Sequence, residues 1–148
     1  MGEGVFKAEI RAHQMTLYFL DSNILMYTLG ASHPFKAPCI KILERIRTAK
    51  IHVCTNTEIL QEILYRYHSI GKKDIAHQTC ELLKDIADPI LPVTLEDITR
   101  AMSLMDQYPV PVRDAIHTAT MLNNDIRHII STDTHFDEIQ GITRIQPN

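Results

Sequence analysis

Four carboxylates in separate parts of the sequence are the residues best suited to chemistry: Asp21, Glu62, Asp114 and Asp133. Carboxylate oxygens are the ligands that magnesium prefers in proteins, so four acids that meet at one point could hold one or two such ions. Without a cation, acids in such a cluster would repel one another, and this repulsion would raise some of their pKa values. Whether the four acids converge depends on the elements that carry them.

Two of the acids directly follow predicted strands. The run from Leu17 to Leu20 is continuously apolar, which is typical of a strand buried on both faces, and Asp21 follows it. A second predicted strand, over 127–131, precedes Asp133. Functional groups in an open parallel sheet gather at the carboxyl ends of its strands. We therefore expect Asp21 and Asp133 to share one edge of a sheet.

The other two acids lie on predicted helices. Glu62 is about two turns into a helix predicted over 56–69, and Asp114 begins a helix predicted over 114–123. Further helices fit 35–49, 72–87 and 95–107, and further strands fit 51–54, 90–93 and 142–145. Strands that alternate with helices along one chain predict an α/β fold, a three-layer α/β/α arrangement with a central parallel sheet. Pro92 places the strand over 90–93 at an edge of that sheet.

The helix predicted over 95–107 carries two further sequence signals. Thr94, with Asp97 three residues later, resembles a capping box at the start of a helix. Ile98, Met102 and Met105 recur at helical spacing, so we expect them to face the core.

Each acid, taken alone, also has an ordinary structural explanation. Asp21 and Asp133 could be turn residues, and Asp114 could merely cap its helix. Glu62 could be a solvated helix residue, and Glu58, one turn earlier on the same face, competes for any role. The joint arrangement is more informative than any single acid.

The composition is that of one folded domain. The 148 residues are 45% hydrophobic and 22% charged, which suits a single core and is too apolar for a disordered chain. A net charge of -3 provides no overall basic field, so any nucleic-acid partner must be held by local patches. No apolar run approaches the roughly 20 residues needed to span a bilayer. We therefore expect no membrane association and a cytoplasmic location.

Two smaller features complete the domain interpretation. The three cysteines, Cys39, Cys54 and Cys80, are odd in number and form no CxxC pair, so we predict reduced core thiols rather than disulfides or a zinc site. Residues 1–14 are polar and precede a second methionine, Met15. We interpret 1–14 as an N-terminal extension or tag and 15–148 as a single domain.

Four segments of the chain carry a family resemblance: FLDSNIL at 19–25, TNTEILQEIL at 55–64, VRDAIHTATML at 112–122 and ISTDTHFDEIQGI at 130–142. In order and spacing they resemble the PIN-domain family, in particular the VapC-like toxin ribonucleases of bacterial and archaeal toxin-antitoxin pairs. The resemblance spans about Thr16 to Pro147. It implies a PIN-like fold with a five-stranded parallel sheet, a magnesium or manganese site and endonucleolytic cleavage of RNA.

Carried over residue by residue, the resemblance implies that Asp21, Glu62, Asp114 and Asp133 are the catalytic acids and metal ligands, with Asp137 as an additional ligand candidate. Asp21 and Asp114 would hold the principal ion. Glu62 and Asp133 would orient waters or a second ion. The reaction would be metal-assisted hydrolysis of phosphodiester bonds without a covalent protein intermediate.

Several polar residues near the acids are candidates for supporting roles. Hydrogen bonds to the acids or to the waters of a metal are expected from Ser22, Asn23 and Thr132, although simple turn chemistry explains these residues about as well. Contacts to RNA phosphates are expected from Arg113, Lys36 and Arg66. The eight histidines show no HExxH pair, and we single out only His117 and His135 for attention near the acids.

Among the functions that the resemblance implies, the small size of the chain favours a toxin. A toxin of this family would have a small antitoxin protein as its partner and would form a homodimer. Two alternatives stay open: a PIN-domain nuclease that matures ribosomal or transfer RNA, and a non-catalytic RNA- or protein-binding module with the same fold. A haloacid-dehalogenase-like phosphatase would need a second aspartate where this chain has Asn23, and a P-loop NTPase would need a GxxxxGK[ST] segment that is absent.

Overall fold

A single sheet forms the centre of the computed structural model, which describes residues 16–148. Its five strands are β1 (Leu17–Leu20), β2 (His52–Asn56), β3 (Ala87–Leu91), β4 (His128–Ile130) and β5 (Thr143–Ile145). All neighbouring strands are parallel, and their order across the sheet is β3-β2-β1-β4-β5. The predicted five-stranded parallel sheet is therefore confirmed, whereas the extension or tag predicted over 1–14 lies outside the described residues.

Helices flank this sheet and complete the predicted three-layer α/β/α architecture. Within residues 16–148 they are α1 (Ser22–Leu29), α2 (Lys36–Arg47), α3 (Thr57–Ser69), α4 (Lys73–Ile86), α5 (Leu95–Gln107) and α6 (Val112–Asn123), with a 3-10 helix over Thr134–Glu138. In this part of the chain, none of the helices combines the length and apolar character needed to cross a membrane.

The strand order places a reversal point beside β1. The chain runs outward from β1 through β2 to β3, and then returns to the other side of β1 to form β4 and β5. Leu20 is paired with Ile130 across β1 and β4, and the backbone N–H of Asp21 donates to the carbonyl of Ile130 at 3.1 Å. Because strand order reverses here, a crevice opens at the carboxyl ends of β1 and β4, where ligands bind in open α/β sheets.

The core explains why the central strands are continuous apolar runs. Phe19 and Leu20 of β1 and Ile129 of β4 are fully buried, since helices cover both faces of the sheet. β3 lies at the edge of the sheet, as predicted, but it spans Ala87–Leu91 rather than 90–93, so Pro92 follows the strand. The strand contains Pro89 instead, and the register of its pairing with β2 shifts near that residue. An edge strand tolerates proline because one of its sides needs no backbone donors.

The three cysteines are buried free thiols, which confirms the prediction that they lie in the core. Burial raises the pKa of Cys39 to about 11 and the pKa of Cys54 to about 12. The thiolate is the reactive form of cysteine and the form that binds metals, so these thiols are inert at neutral pH.

Two helix starts differ from the sequence prediction. Helix α1 was not predicted, and Asp21, for which a turn was only the alternative explanation, caps this helix. Its Oδ1 accepts from the backbone N–H of Ser22 at 2.8 Å. Helix α6 begins at Val112 rather than at Asp114, and Pro111 occupies its cap position. Asp114 is therefore free of a capping role and projects from the first turn.

Helix α5 confirms one prediction and overturns another. Thr94 and Asp97 form the predicted capping box, each side chain bonding the other residue's backbone N–H at 3.1 Å. The prediction that Ile98, Met102 and Met105 face the core is wrong, because their exposed fractions are 37%, 64% and 41%. The helix instead packs on α6 through its other face, which carries Asp97, Ala101 and Leu104.

Candidate active site

The four acids named from the sequence meet at the carboxyl edge of the sheet. Asp21 follows β1, Glu62 lies on α3, Asp114 lies in the first turn of α6, and Asp133 caps the 3-10 helix after β4. All four line one cleft of about 390 Å³, at the reversal point between β1 and β4. Asp21, Glu62 and Asp114 are less than one tenth exposed, which is unusual for acids in the absence of a partner.

Hydrogen bonds hold both carboxylate oxygens of Asp21. Oδ1 accepts from the backbone N–H of Ser22, and Oδ2 accepts from the Ser131 hydroxyl at 2.6 Å and from Asn23 Nδ2 at 3.2 Å. Asn23 Nδ2 also lies 3.2 Å from Ser131 Oγ. Such a network fixes the orientation of the carboxylate before any ligand arrives.

The carboxylate of Glu62 is held in the same way. Its Oε2 accepts from the Ser22 hydroxyl at 2.8 Å, and its Oε1 lies 2.8 Å from Nε2 of His117. His117 has no exposed surface. One carboxylate oxygen of Asp21, one of Glu62 and one ring nitrogen of His117 lie within 4.8 Å of one another. Asp21 and Glu62 are thus close enough to share one cation or its waters.

A second group lies on the other side of the cleft. His135 Nδ1 is 3.1 Å from Oδ2 of Asp114 and 2.8 Å from Oδ1 of Asp133. Desolvation lowers the pKa of the half-exposed His135 imidazole, but the charges and hydrogen bonds of the two carboxylates together outweigh it and raise that pKa. The two acids are therefore already adjacent to one group that can carry positive charge.

The electrostatics of the cleft fit a divalent cation. Burial raises the pKa of Asp21, and burial together with the charges of Asp133 and Asp21 raises the pKa of Asp114 to about 7. For Glu62, burial acts upward, but hydrogen bonds from His117 and Ser22 outweigh it and lower the pKa. A buried set of oxygen donors that destabilise one another's charge matches what a hard divalent cation requires.

Supporting residues partly differ from those expected. Ser22 and Asn23 donate hydrogen bonds to the acids, as expected. The hydrogen bond to an acid that was expected from the Thr132 side chain comes instead from the Ser131 hydroxyl, which donates to Asp21. The backbone N–H of Thr132 lies 3.4 Å from Asn23 Oδ1. The Ser131 hydroxyl also accepts from the backbone N–H of Asp133 at 2.9 Å. The only sequence signal for Ser131 was its position at the end of the strand that precedes Asp133.

The remaining candidates divide between the cleft and other surfaces. Arg66 and Arg113 line the cleft. Asp137 does not join the acids: its carboxylate is paired with the guanidinium of Arg144, at 2.9 and 3.0 Å. Lys36 lies away from the cleft residues and donates from Nζ to the carbonyl of Gly30, just after α1, at 2.6 Å.

Arg113 is held at the rim of the cleft by two contacts. Its guanidinium lies 5.5 Å from the ring centre of Tyr65, and its Nε lies 3.8 Å from an oxygen of Glu58. Glu58, which competed with Glu62 in the sequence, thus pairs with an arginine rather than joining the acid cluster.

Residues 18–142 match the family model described as the PIN domain. The chain belongs to the PIN-domain family. Among curated PIN relatives, Ribonuclease VapC13 of Mycobacterium tuberculosis is 34% identical over 130 residues, which are 87% of this chain and 99% of the relative. Ribonuclease VapC23 of the same species is 27% identical over 79% of this chain and 93% of the relative.

Solved structures show the same PIN fold at much lower identity. FitAcB from Neisseria gonorrhoeae matches with a TM-score of 0.68 and 16% identity, over 88% of this chain and 97% of the other. VapBC2 from Rickettsia felis, bound to a fragment of its promoter DNA, matches with a TM-score of 0.67 and 11% identity over 88% and 98%. These likenesses establish the arrangement of the PIN sheet and helices independently of sequence similarity.

Proposed function

We propose that this PIN-domain chain is a metal-dependent endoribonuclease and the toxin of a toxin-antitoxin pair. The observation that carries the proposal is the convergence of four acids from four separate elements in one cleft. Similarity along nearly the whole length of a curated VapC ribonuclease supports the same conclusion. Intact acids in a preorganised cleft favour catalysis over a binding module that has lost its active site.

Magnesium or manganese, when bound, supplies Lewis-acid stabilisation of charge at the phosphoryl group and makes water nucleophilic at neutral pH. Asp21 and Asp114 would hold the principal ion, and Glu62 and Asp133 would orient waters or a second ion. Hydrogen bonds from Ser22 and from the other side chains that contact these acids keep the carboxylates oriented, so little reorganisation accompanies the reaction.

The protein's net charge of -3 makes local cations important for holding RNA. Arg66 and Arg113 line the same cleft as the acids and can contact RNA phosphates there. The stacking of Arg113 near Tyr65 limits its motion, which lowers the entropy lost when it binds a phosphate.

The partner proteins belong to the same proposal. Structural neighbours include a toxin-antitoxin complex from Klebsiella pneumoniae and VapBC-1 from nontypeable Haemophilus influenzae. By analogy with these complexes, an antitoxin would bind this chain. The family resemblance further implies that the antitoxin is small and that two copies of the chain form a homodimer. Light scattering of the chain alone and with a coexpressed antitoxin would test both assemblies.

The first test is cleavage by the purified chain, free of any antitoxin. We expect internal cuts in single-stranded or structured RNA with Mg²⁺ or Mn²⁺, and no cleavage when EDTA removes the metal. Mapping of product ends would distinguish internal cleavage from trimming. If RNA stayed intact in every condition and calorimetry detected no metal binding, the chain would instead be a binding module.

Replacing Arg113 with glutamine should weaken RNA binding without preventing folding. The variant loses one phosphate contact, so the slope of log affinity against log salt concentration should become shallower by about one. Fluorescence anisotropy with a labelled RNA, in an Asp21→Asn background that prevents cleavage, would measure both quantities. Arg127→Gln is the matched control, because Arg127 pairs with Asp125 outside the cleft. Equal losses in both variants would show that Arg113 has no specific role.

A further inference from the structure

A row of buried polar side chains leads from the acid cleft into the interior. Glu62 lies 2.8 Å from Nε2 of His117, and the other ring nitrogen, Nδ1, lies 3.2 Å from Nδ2 of Asn56. Asn56 Nδ2 also donates to the Thr120 hydroxyl at 3.1 Å. His117, Asn56 and Thr120 have no exposed surface. The row therefore has no access to solvent that could replace a lost hydrogen bond.

The orientation of the Asn56 amide follows from the helix that it caps. Asn56 is the N-cap of α3, and its Oδ1 accepts from the backbone N–H of Ile59 at 3.0 Å. Turning the amide over would direct its NH2 group at that N–H and would leave two donors facing each other. The cap thus directs the NH2 group of Asn56 toward Nδ1 of His117.

This orientation determines where the ring hydrogen of His117 lies. An N–H donor facing Nδ1 needs an acceptor there, so the hydrogen belongs on Nε2, which then donates to Glu62. The amide hydrogens of Asn56 offer no acceptor for a hydrogen at Nδ1. The tautomer with hydrogen on Nε2 satisfies every contact in the row.

We propose that Asn56 is a positioning residue, which holds His117 as the Nε2–H tautomer and thereby orients the carboxylate of Glu62 toward Asp21. With Oε1 bonded to His117 and Oε2 bonded to Ser22, the Glu62 carboxylate cannot rotate without breaking a buried hydrogen bond. His117 is then a second positioning residue rather than a metal ligand. The inference rests on the proposed function only in treating Glu62 as part of a metal site.

Replacing a residue that positions a metal ligand through a hydrogen bond typically weakens metal affinity by about 10- to 100-fold. Asn56→Asp is a sharp substitution for this role. Aspartate caps a helix as well as asparagine does, so α3 should keep its start. Its carboxylate, however, accepts a hydrogen bond where the amide donated one, and it therefore draws a proton onto Nδ1 of His117.

The tautomer can be read directly in the unmodified chain. Long-range proton–nitrogen NMR correlations of the ¹⁵N-histidine-labelled protein at neutral pH distinguish a protonated ring nitrogen from an unprotonated one, and the His117→Gln variant identifies the His117 signals. We expect hydrogen on Nε2 and none on Nδ1. A proton on Nδ1, whether alone or together with one on Nε2, would overturn the proposal.

Metal affinity then tests the effect on Glu62, with Mn²⁺ as the probe and free Mn²⁺ measured by electron paramagnetic resonance. We expect Asn56→Asp to move the ring hydrogen of His117 from Nε2 to Nδ1, so that Glu62 loses this donor, and to weaken Mn²⁺ binding by about 10- to 100-fold. The amide of His117→Gln can still donate to Glu62, so this variant should bind Mn²⁺ more tightly than His117→Leu does. Urea unfolding of each variant would show whether the fold is retained.

The outcomes separate this inference from the proposed function. If Asn56→Asp moved the proton but left Mn²⁺ binding unchanged, the positioning role would be wrong. If the unmodified chain showed the Nε2–H tautomer but bound no Mn²⁺, the proposed metal site would fail and the tautomer assignment would stand.

Discussion

Replacing Asp21 with asparagine should strongly reduce the rate of RNA cleavage while leaving the fold intact. Asp21 is the acid nearest the reversal point of the sheet, and both of its oxygens are held in place by hydrogen bonds. Asparagine keeps the size of the side chain but removes the charge that binds the cation. Metal assistance contributes several kcal/mol to catalysis, so the rate should fall by roughly 10²- to 10⁴-fold.

The fold should survive this change because two effects offset each other. The amide introduced by Asp21→Asn cannot accept every hydrogen bond that the carboxylate accepts, which destabilises the folded state. The substitution also removes a carboxylate whose pKa is raised by burial, so the cost of burying its charge is removed as well. Cleavage kinetics and urea unfolding, measured on the same preparation, would separate lost activity from lost structure.

Asp137→Asn provides the matched control for Asp21→Asn. It makes the same chemical change at an acid that was a metal candidate in the sequence but is paired with Arg144 in the structure. We expect its cleavage rate to stay close to that of the unmodified chain. Retained cleavage in Asp21→Asn, or an equal loss in Asp137→Asn, would contradict the assignment of the metal ligands.

The parts of the fold that could be predicted are those set by local pattern. The apolar run before Asp21 indicated a strand buried on both faces, and the alternation of strands with helices indicated a parallel sheet. Together these two features predict that acids after strands lie at one edge. The positions of Asp21 and Asp133 followed from elementary rules of sheet architecture, without knowledge of any side-chain contact.

The parts that could not be predicted depend on contacts between distant elements. Asn56 and His117 are 61 residues apart, and nothing in their local sequence indicates that they share a hydrogen bond. Hydrophobic spacing also predicted the wrong buried face of α5. The face that is buried carries Asp97, whose carboxylate accepts hydrogen bonds from Thr120 and Asn123 of α6. A buried polar residue satisfied by a neighbouring helix has no signature in an apolar pattern.

Asp114→Asn should make the metal-free protein more stable at neutral and alkaline pH. Burial and the charges of Asp133 and Asp21 raise the pKa of Asp114 to about 7, compared with about 4 in an unfolded chain. Between these two pH values the folded state binds the extra proton, so this group's contribution to stability falls as pH rises from about 4 to about 7, and the loss is complete above that range.

A neutral asparagine removes this penalty. One unit of pKa shift corresponds to about 1.4 kcal/mol, and solvent screening in the open cleft reduces the effect, so we expect a gain of roughly 1–3 kcal/mol at pH 8. Urea unfolding in EDTA at pH 4 and pH 8 would measure it, with little difference between the two proteins at pH 4. The comparison isolates Asp114, because the other acids of the cleft are common to both proteins.

Adding metal should reverse the order of stability. A ligand that binds only the folded state raises the free energy of unfolding, and the increase grows with the logarithm of the ratio of ligand concentration to dissociation constant. The unmodified chain should therefore gain stability from Mg²⁺ or Mn²⁺ at pH 8, whereas Asp114→Asn should gain little. If both proteins gained equally, Asp114 would not be a metal ligand. If Asp114→Asn were no more stable without metal, burial and the neighbouring charges would not raise the pKa of Asp114 in the folded chain. The expected reversal would show that the Asp114 carboxylate destabilises the metal-free protein and stabilises the protein once a cation is bound.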